Sequence, residues 1–203
     1  MMNKIPGCWW SHTFSIFTMA MLWMFLGTSC RETPTPRPRA YIRIDLPEKD
    51  YRVFDTTFPY RFEYPKYGTI RPDTSKRALP YWLNLEFGKL RATVFLSYRS
   101  IKTGELASYL EDNHLFLSRH IPKANGITEM VVENRQAHVY GVIYTVGGAG
   151  AASPVQFFLT DSSRHFVRGA LYFNFPPNND SLQPVIQFLS DDIVHLAETF
   201  RWK

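Results

Sequence analysis

Cysteine is scarce in this chain: its 203 residues include only two, Cys8 and Cys30. Because neither lies beyond position 30, a domain built from the rest of the chain has no cysteine for a disulfide or a thiolate metal site. We therefore expect packing and hydrogen bonds to stabilise that domain.

A long hydrophobic run and a strong excess of one charge are also missing. The apolar stretch at 14–26 is shorter than the about 20 residues that span a bilayer. The formal net charge is +5, one unit of it from Lys4, and acidic residues are interleaved with the basic ones. This pattern does not suggest a nucleic acid partner.

The first thirty residues have the layout of an export signal. Lys4 is their only charged side chain before the apolar stretch, and Gly27, Thr28 and Ser29 lead to Cys30. The pattern resembles the bacterial lipoprotein box, which implies that residues 1–29 are a signal peptide and that Cys30 is lipidated. The alternative is a plain secretory signal with Cys30 as a free thiol, which an oxidising compartment disfavours.

A short tether follows at 30–39, where Pro34, Pro36 and Pro38 alternate with polar residues. Such a segment favours polyproline-like geometry and can extend by up to about 3.1 Å per residue. Its arginines either contact anionic head groups or are ordinary solvated charges, and the sequence does not distinguish the two. We expect one folded domain, residues 40–203, beyond it.

Period-two alternation of apolar and polar residues predicts that this domain is rich in β-strands. The predicted strands are 40–46, 60–64, 82–87, 90–98, 127–132, 137–146 and 155–175, the last broken by a turn at 161–164. Gly88 and Lys89 suit a two-residue type II′ hairpin. The short connections after residue 126 favour an antiparallel meander.

Apolar residues at helical spacing predict two main helices, at about 103–121 and 180–200. Thr103 is the expected N-cap of the first helix and Pro122 its stop. Asp180 and Gln183 form a plausible capping box for the second. The expected fold class is α+β, a mostly antiparallel sheet covered by these two helices.

Two groups of polar residues are candidates for catalytic or metal sites. The segment 161–165 contains aspartate, serine and histidine, but consecutive residues in a tight turn rarely reach the geometry of a triad. Asp191, Asp192 and His195 could share one helix face, yet they border an apolar stripe and are better explained as its solvated edge. We predict no catalytic, metal or cofactor-binding residue.

Two further features suggest protein contact. The small-residue run at 147–152 lacks the lysine and hydroxyl of a phosphate loop and is the first candidate for an interaction surface. The aromatic residues indicate either an interface or a core with helices on both sides of the sheet, and both readings stay open. They include Tyr81, Trp82, Phe157, Phe158, Tyr172, Phe173 and Trp202.

A family resemblance rests on the lipoprotein-box cysteine and on three long stretches of sequence, 79–85, 157–173 and 192–203. With them the chain resembles the GldD family of gliding motility lipoproteins of the Bacteroidetes over nearly all of residues 40–203. The order of its elements more weakly resembles the PsbP/Mog1-like fold.

The family resemblance implies a non-enzymatic role in the envelope machinery for gliding and type IX secretion. The implied partners are other gliding-motility lipoproteins and secretion proteins, with Cys30 holding the chain on a membrane. The residue after that cysteine is Arg31, not the aspartate that often retains lipoproteins in the inner membrane, so we expect the outer membrane, facing the periplasm. A lipid-anchored carrier of a small apolar ligand or lipid is the alternative.

Overall fold

A seven-stranded sheet is the centre of the computed structural model, which describes residues 44–119, 122, 124–176 and 178–203. Its strands are joined mostly by short connections. In chain order the described elements are β1 Tyr51–Phe54, β2 Tyr60–Pro65, β3 Thr69–Pro72, β4 Leu83–Phe87, β5 Ala92–Ser100, α1 Leu106–Ser118, β6 Gly126–Asn134, β7 Val139–Gly147, β8 Val155–Thr160, β9 His165–Phe173, α2 Asn179–Thr199 and β10 Arg201–Trp202.

The main sheet has the order β3-β4-β5-β9-β8-β7-β6, and each neighbouring pair is antiparallel. Strands β6 to β9 form the predicted meander, and β9 returns to pair with β5 from Ala92↔Phe173 to Ser100↔His165. A smaller sheet has the order β1-β2-β10. The predicted α+β class, with a mostly antiparallel sheet and two main helices, is confirmed.

The larger core lies on the inner face of the main sheet, under α2 and the small sheet. Val185, Leu189, Ile193 and Leu196 recur at helical spacing on α2, and each is at most 3% exposed. At about 1.5–3 kcal/mol per fully buried large apolar side chain, this stripe is a major reason why α2 stays on the sheet. Its partners from β2 and the chain end include Tyr60, Phe62 and Phe200.

A second, smaller core lies on the outer face of the same sheet, under α1. Leu117 of α1 packs with sheet residues such as Phe158 and Phe166. The helix covers only part of this face, because Phe95 of β5 is 43% exposed and Tyr172 of β9 is 37% exposed. Helices on both faces therefore explain most of the aromatic content, while a part of the outer face stays open.

Both helices begin at other residues than the sequence suggested. In α1 the N-cap is Glu105, because a hydrogen-bonded turn between Lys102 and Glu105 places Thr103 ahead of the helix. In α2 the helix already begins at Asn179, so Asp180 lies in its first turn and the predicted capping box is wrong. Within the described ranges, neither helix is long and apolar enough to cross a membrane.

Two strand predictions are corrected. Only residues 44–46 of the predicted strand 40–46 are described, and they do not form a strand. The first strand is β1, because its residues are the ones that pair with β2. The hairpin between β4 and β5 has four loop residues, not two, since Gly88–Leu90 forms a 3₁₀ turn and Arg91 is left-handed with φ 51°. Leu90 belongs to this turn and not to β5.

Candidate functional site

A groove lies on the outer face of the sheet, at the place where α1 stops covering it. Strand alternation explains its position: Val167 and Leu171 of β9 enter the inner core, so Arg168 between them projects to the outer side. The first part of the groove is a cavity of about 160 Å³. Its lining includes Trp82, Ser97, Arg99, Asp112, Asn113, Phe116 and Arg168.

A second depression of about 150 Å³ continues the groove along the sheet. It shares Trp82, Ser97 and Arg168 with the first and extends over Phe95 and Tyr172. The rings of Phe95 and Tyr172 meet edge to face, with centroids 5.8 Å apart. The groove thus joins a part under α1 that carries arginine and aspartate side chains to an aromatic part on the open sheet, which Asp73 also lines.

Arg168 is the charged centre of the groove. Its guanidinium carbon lies 3.8 Å from the centroid of the Phe116 ring, and Arg119 lies over the same ring at 5.1 Å. Burial lowers the pKa of Arg168; Tyr172 and Asp112 oppose this shift, while Arg99 adds to it. The side chain nevertheless stays protonated, because a guanidinium does not lose its proton in proteins.

Asn113 carries an unsatisfied polar group beside the same groove. It projects from α1, is 2% exposed, and its Oδ1 accepts no hydrogen bond from the described part of the chain. A buried amide oxygen without a donor costs on the order of 1–3 kcal/mol. This cost falls on the fold itself, because the oxygen has almost no accessible surface.

Trp82 is held in place at the centre of the groove. Its indole N–H donates to the Tyr98 carbonyl at 2.9 Å, and Arg99 lies 5.6 Å from its ring. The ring of Trp82 and the guanidinium groups of Arg99 and Arg168 form a surface at which a partner can be contacted, with the Asp112 carboxylate in the same lining. Ser97 in this lining donates a hydrogen bond to the Arg168 carbonyl at 3.3 Å.

The segment 161–165, by contrast, forms a structural turn, as the sequence analysis expected. Burial raises the pKa of Asp161, but hydrogen bonds from the backbone N–H groups of Arg164, Ser163 and His165 outweigh it and lower the pKa. The ring of His165 shares a 2.8 Å hydrogen bond with Tyr98 and stacks on Trp202. These side chains therefore stabilise the hairpin between β8 and β9.

Asp191 and Asp192 have different environments, although they are adjacent on α2. The Asp191 side chain is 53% exposed and pairs with Lys49 at 3.2 Å, which agrees with a solvated border. Asp192 is 2% exposed and accepts hydrogen bonds from the hydroxyls of Tyr51, at 2.8 Å, and Tyr67. The prediction of a solvated edge is therefore wrong for Asp192, because β1 and the turn after β2 supply donors that bury it.

His195 lies one turn further along α2 and faces the small sheet. Its Nε2 is 2.7 Å from Glu63, and its ring stacks on Tyr51 with centroids 3.8 Å apart. The residues in the described ranges contain no group of three or more histidine, cysteine, aspartate or glutamate side chains placed to hold a metal ion. Asp192 and His195 are thus joined through Tyr51 into one polar network between α2 and β1.

The small-residue run at 147–152 is held against the start of α2. The Nδ2 of Asn179 donates to the carbonyls of Gly148 and Ala151, both at 2.9 Å, and its backbone N–H donates to Ala149. Ala151 is 1% exposed. The segment is thus anchored to α2 while Gly147, Ala149 and Ala152 remain exposed, and its role as an interaction surface stays a prediction.

Sequence reasoning did not single out Arg168 or Asn113. One signal was available for the first: β9 places a lone arginine between Phe166 and Ala170 on the face opposite its core residues. For Asn113 no local signal exists, because its burial depends on how α1 meets β9. The proposed lipidation residue, Cys30, lies outside the described residues.

Comparison with known proteins adds a family to these observations. The model of the family described as "Gliding motility lipoprotein GldD" matches residues 31–202. No curated protein matches the chain. Among solved structures, the solution structure of cyanobacterial PsbP (CyanoP) from Synechocystis sp. PCC 6803 is similar, at 11% sequence identity and a TM-score of 0.43, covering 80% of this chain and 98% of that chain.

Proposed function

The chain belongs to the GldD family of gliding motility lipoproteins, and from this premise we propose that it is a non-enzymatic assembly component of the gliding and type IX secretion machinery. The proposal rests on the family match over residues 31–202. Its partners are other lipoproteins and secretion proteins of the envelope. The open groove on the outer face of the main sheet offers a surface for such partners and supports this role.

The anchor is the lipid on Cys30. In this proposal residues 1–29 are removed as a signal peptide, 30–39 form the tether and 40–203 the binding domain, held on the outer membrane and facing the periplasm. A tethered domain searches a thin layer beside the membrane, so its effective concentration toward other membrane-held proteins rises without any new contact. Modest affinity at each interface is then sufficient for assembly.

The hydrogen bonding of the polar side chains supports a structural role for them. Asp161 holds a turn, Asp192 joins α2 to β1 and to the turn after β2, and His165 and His195 contact aromatic rings and hydrogen-bonding partners within the fold. A general base must instead be free to reach a substrate proton. These residues are accordingly assigned to stability.

Crosslinking in the native envelope tests the proposal. The wild-type chain and Cys30→Ser are crosslinked in cells, and the captured proteins are identified by mass spectrometry. We expect gliding and secretion components with the wild type, and their loss with Cys30→Ser, because the untethered domain is diluted. The membrane fraction of both forms is measured in parallel.

Two outcomes would contradict the proposal. If Cys30→Ser remains in the membrane fraction with the same partners, the anchor is elsewhere. If no envelope protein is captured and lipid copurifies with the full-length chain, the alternative of a carrier for a small apolar ligand is favoured. An Arg31→Asp variant that moves from the outer to the inner membrane would support the proposed location.

A further inference from the structure

We propose that β6, the edge strand of the main sheet, binds an extended segment of a partner protein as an additional strand, with apolar side chains toward α2 and basic side chains on the outer face. The proposal gives a partner's chemistry for the function proposed above, on which it rests only for its cellular setting. The binding itself is a property of the folded chain and is tested without the envelope.

Strand β6 is a long open edge. It stands last in the order of the main sheet, pairs with β7 alone among the described strands, and contains nine residues without a proline. The opposite edge, β3, has four residues and ends at Pro72, and the edges of the small sheet, β1 and β10, have four and two residues. Short edges and prolines prevent the addition of further strands. Among the described strands, β6 is thus the edge best suited to accept one.

The hydrogen bonding of the neighbouring strands shows which backbone groups of β6 face its free side. The N–H of Val146 donates to the Pro154 carbonyl at 2.8 Å, so Val146 is turned toward β8. Because successive residues of an antiparallel strand turn to alternate sides, the odd-numbered residues of β7 are turned toward β6. Their partners in β6 are even-numbered. The odd-numbered residues of β6 therefore direct their N–H and C=O groups outward, at Ile127, Glu129, Val131 and Glu133.

The side chains along this edge are exposed on both faces of the sheet. Val131 is 74% exposed and Met130 is 40% exposed, although neighbouring residues of a strand point to opposite faces. On the face that α2 covers, a depression of about 230 Å³ follows the edge. Every second side chain of an added strand points to this face, and an apolar one is buried in the depression. The lining is apolar at Met130, Val132 and Val194 and polar at Glu133, Asn134 and Glu198.

The charge of this edge is acidic. Glu129 and Glu198 form no ion pair with a described residue, and Arg201 donates to the backbone carbonyl of Glu198 at 3.0 Å. Glu133 pairs with Arg135 at 2.5 Å, and both side chains are exposed. Glu129 and Glu133 lie on the outer face, where alternate residues of an added strand come beside them. Lysine or arginine is therefore favoured at those positions of the partner.

The same charges disfavour a second copy of this chain as the occupant. When two β6 strands pair antiparallel with Val131 opposite Val131, the most exposed apolar residue of the strand is covered. That register places Glu129 of each copy opposite Glu133 of the other, and like charges in directly opposite positions are destabilising. The occupant is accordingly a strand of a different protein, with apolar and basic residues in alternation.

Fluorescence anisotropy with a defined probe tests the proposal. The full chain, purified in a nonionic detergent, is titrated into a fluorescein-labelled octapeptide of alternating valine and lysine. In Val131→Pro the strand loses an outward N–H but keeps its bonds to β7, so the peptide should bind about tenfold more weakly, the equivalent of one backbone hydrogen bond. Val131→Thr keeps the N–H and the β-branched shape and should bind as the wild type does. Circular dichroism checks that both variants retain the fold.

Modified peptides separate strand addition from attraction between charges. Alternate N–H groups of an added strand face the edge, so N-methylation of one set, the lysines or the valines, should abolish binding, whereas N-methylation of the other set should preserve it. A peptide with glutamate in place of lysine should bind more weakly, and Glu129→Gln should weaken binding of the lysine peptide by about two- to fivefold. The peptide series uses the wild-type chain, so it tests the proposal even if Val131→Pro does not fold.

Three results would overturn the proposal. The first is no binding of the lysine peptide, or equal affinity of the two N-methylated peptides. The second is equal affinity of folded Val131→Pro and Val131→Thr for the lysine peptide. The third is sedimentation of the full chain as a dimer that Val131→Pro dissociates, which would assign the edge to a second copy. None of these depends on the crosslinking experiment, so the two proposals can fail separately.

Discussion

Replacing Asp192 by alanine tests whether the buried carboxylate holds α2 to β1 and to the turn after β2. Asp192 is 2% exposed and accepts hydrogen bonds from Tyr51 and Tyr67, with Lys49 Nζ 3.5 Å away. Alanine leaves the two tyrosine hydroxyls without their acceptor, whereas Lys49 keeps Asp191 and the Phe188 carbonyl. We expect Asp192→Ala to lower the free energy of unfolding substantially, and Asp192→Asn to have a smaller effect because its amide oxygen still accepts.

The size of the effect follows from the contacts. Breaking a fully buried ion pair costs about 3–5 kcal/mol, and a hydrogen bond to a charged group contributes about 1.5–3 kcal/mol. The Lys49 side chain is 30% exposed, and the two tyrosines are half-buried, so water restores part of their hydrogen bonding. We therefore expect a loss of about 2–4 kcal/mol for Asp192→Ala.

Asp191→Ala is the matched control. The two residues are adjacent on α2, so the gain in helix propensity from alanine is the same for both. The Asp191 side chain is 53% exposed, and its pair with Lys49 contributes about 0–1 kcal/mol. Urea unfolding of the full chain, followed by circular dichroism and tryptophan fluorescence, gives both values. A difference between the two variants below about 0.5 kcal/mol would refute a structural role for the Asp192 network.

Two further changes test other parts of the fold. Asn179→Ala should destabilise the chain by about 1–3 kcal/mol and speed proteolysis within 147–152, because the carbonyls of Gly148 and Ala151 lose their donor. Asn178→Ala changes an exposed neighbour and is the control; equal proteolysis of the two variants would contradict the assignment. Burial and, to a smaller extent, the hydrogen bond to Asp192 raise the pKa of Tyr67 above the value of about 10 that it has in the unfolded chain. The stability that this shift contributes is present below about pH 10 and is lost as the pH rises further. Above about pH 10 the free energy of unfolding in urea should therefore depend less on pH in Tyr67→Phe than in the wild type. Equal pH dependence of the two proteins would exclude Tyr67 as the cause.

Local patterns were sufficient for most of the secondary structure. The meander after residue 126 and the stripe Val185, Leu189, Ile193 and Leu196 follow from periods of two and 3.6 residues, which act within one element. The turn at Asp161 was also predictable, because its side chain bonds to backbone groups only two to four residues away. Helix ends were less predictable, since Asn179 begins α2 by bonding to a distant loop.

The groove and the Asp192 network depend on residues that are far apart in the chain. Asp192 is about 125 to 141 positions from the tyrosines that bury it, and Asn113 and Arg168 meet only because α1 crosses β9. Periodicity indicates which face of an element is apolar, but it does not indicate which polar residue on the border receives donors from another element. The sequence by itself thus determined most of the strands and the two helices. The tertiary structure alone decided which charges are buried and which remain exposed, because burial of a charge depends on contacts between distant segments.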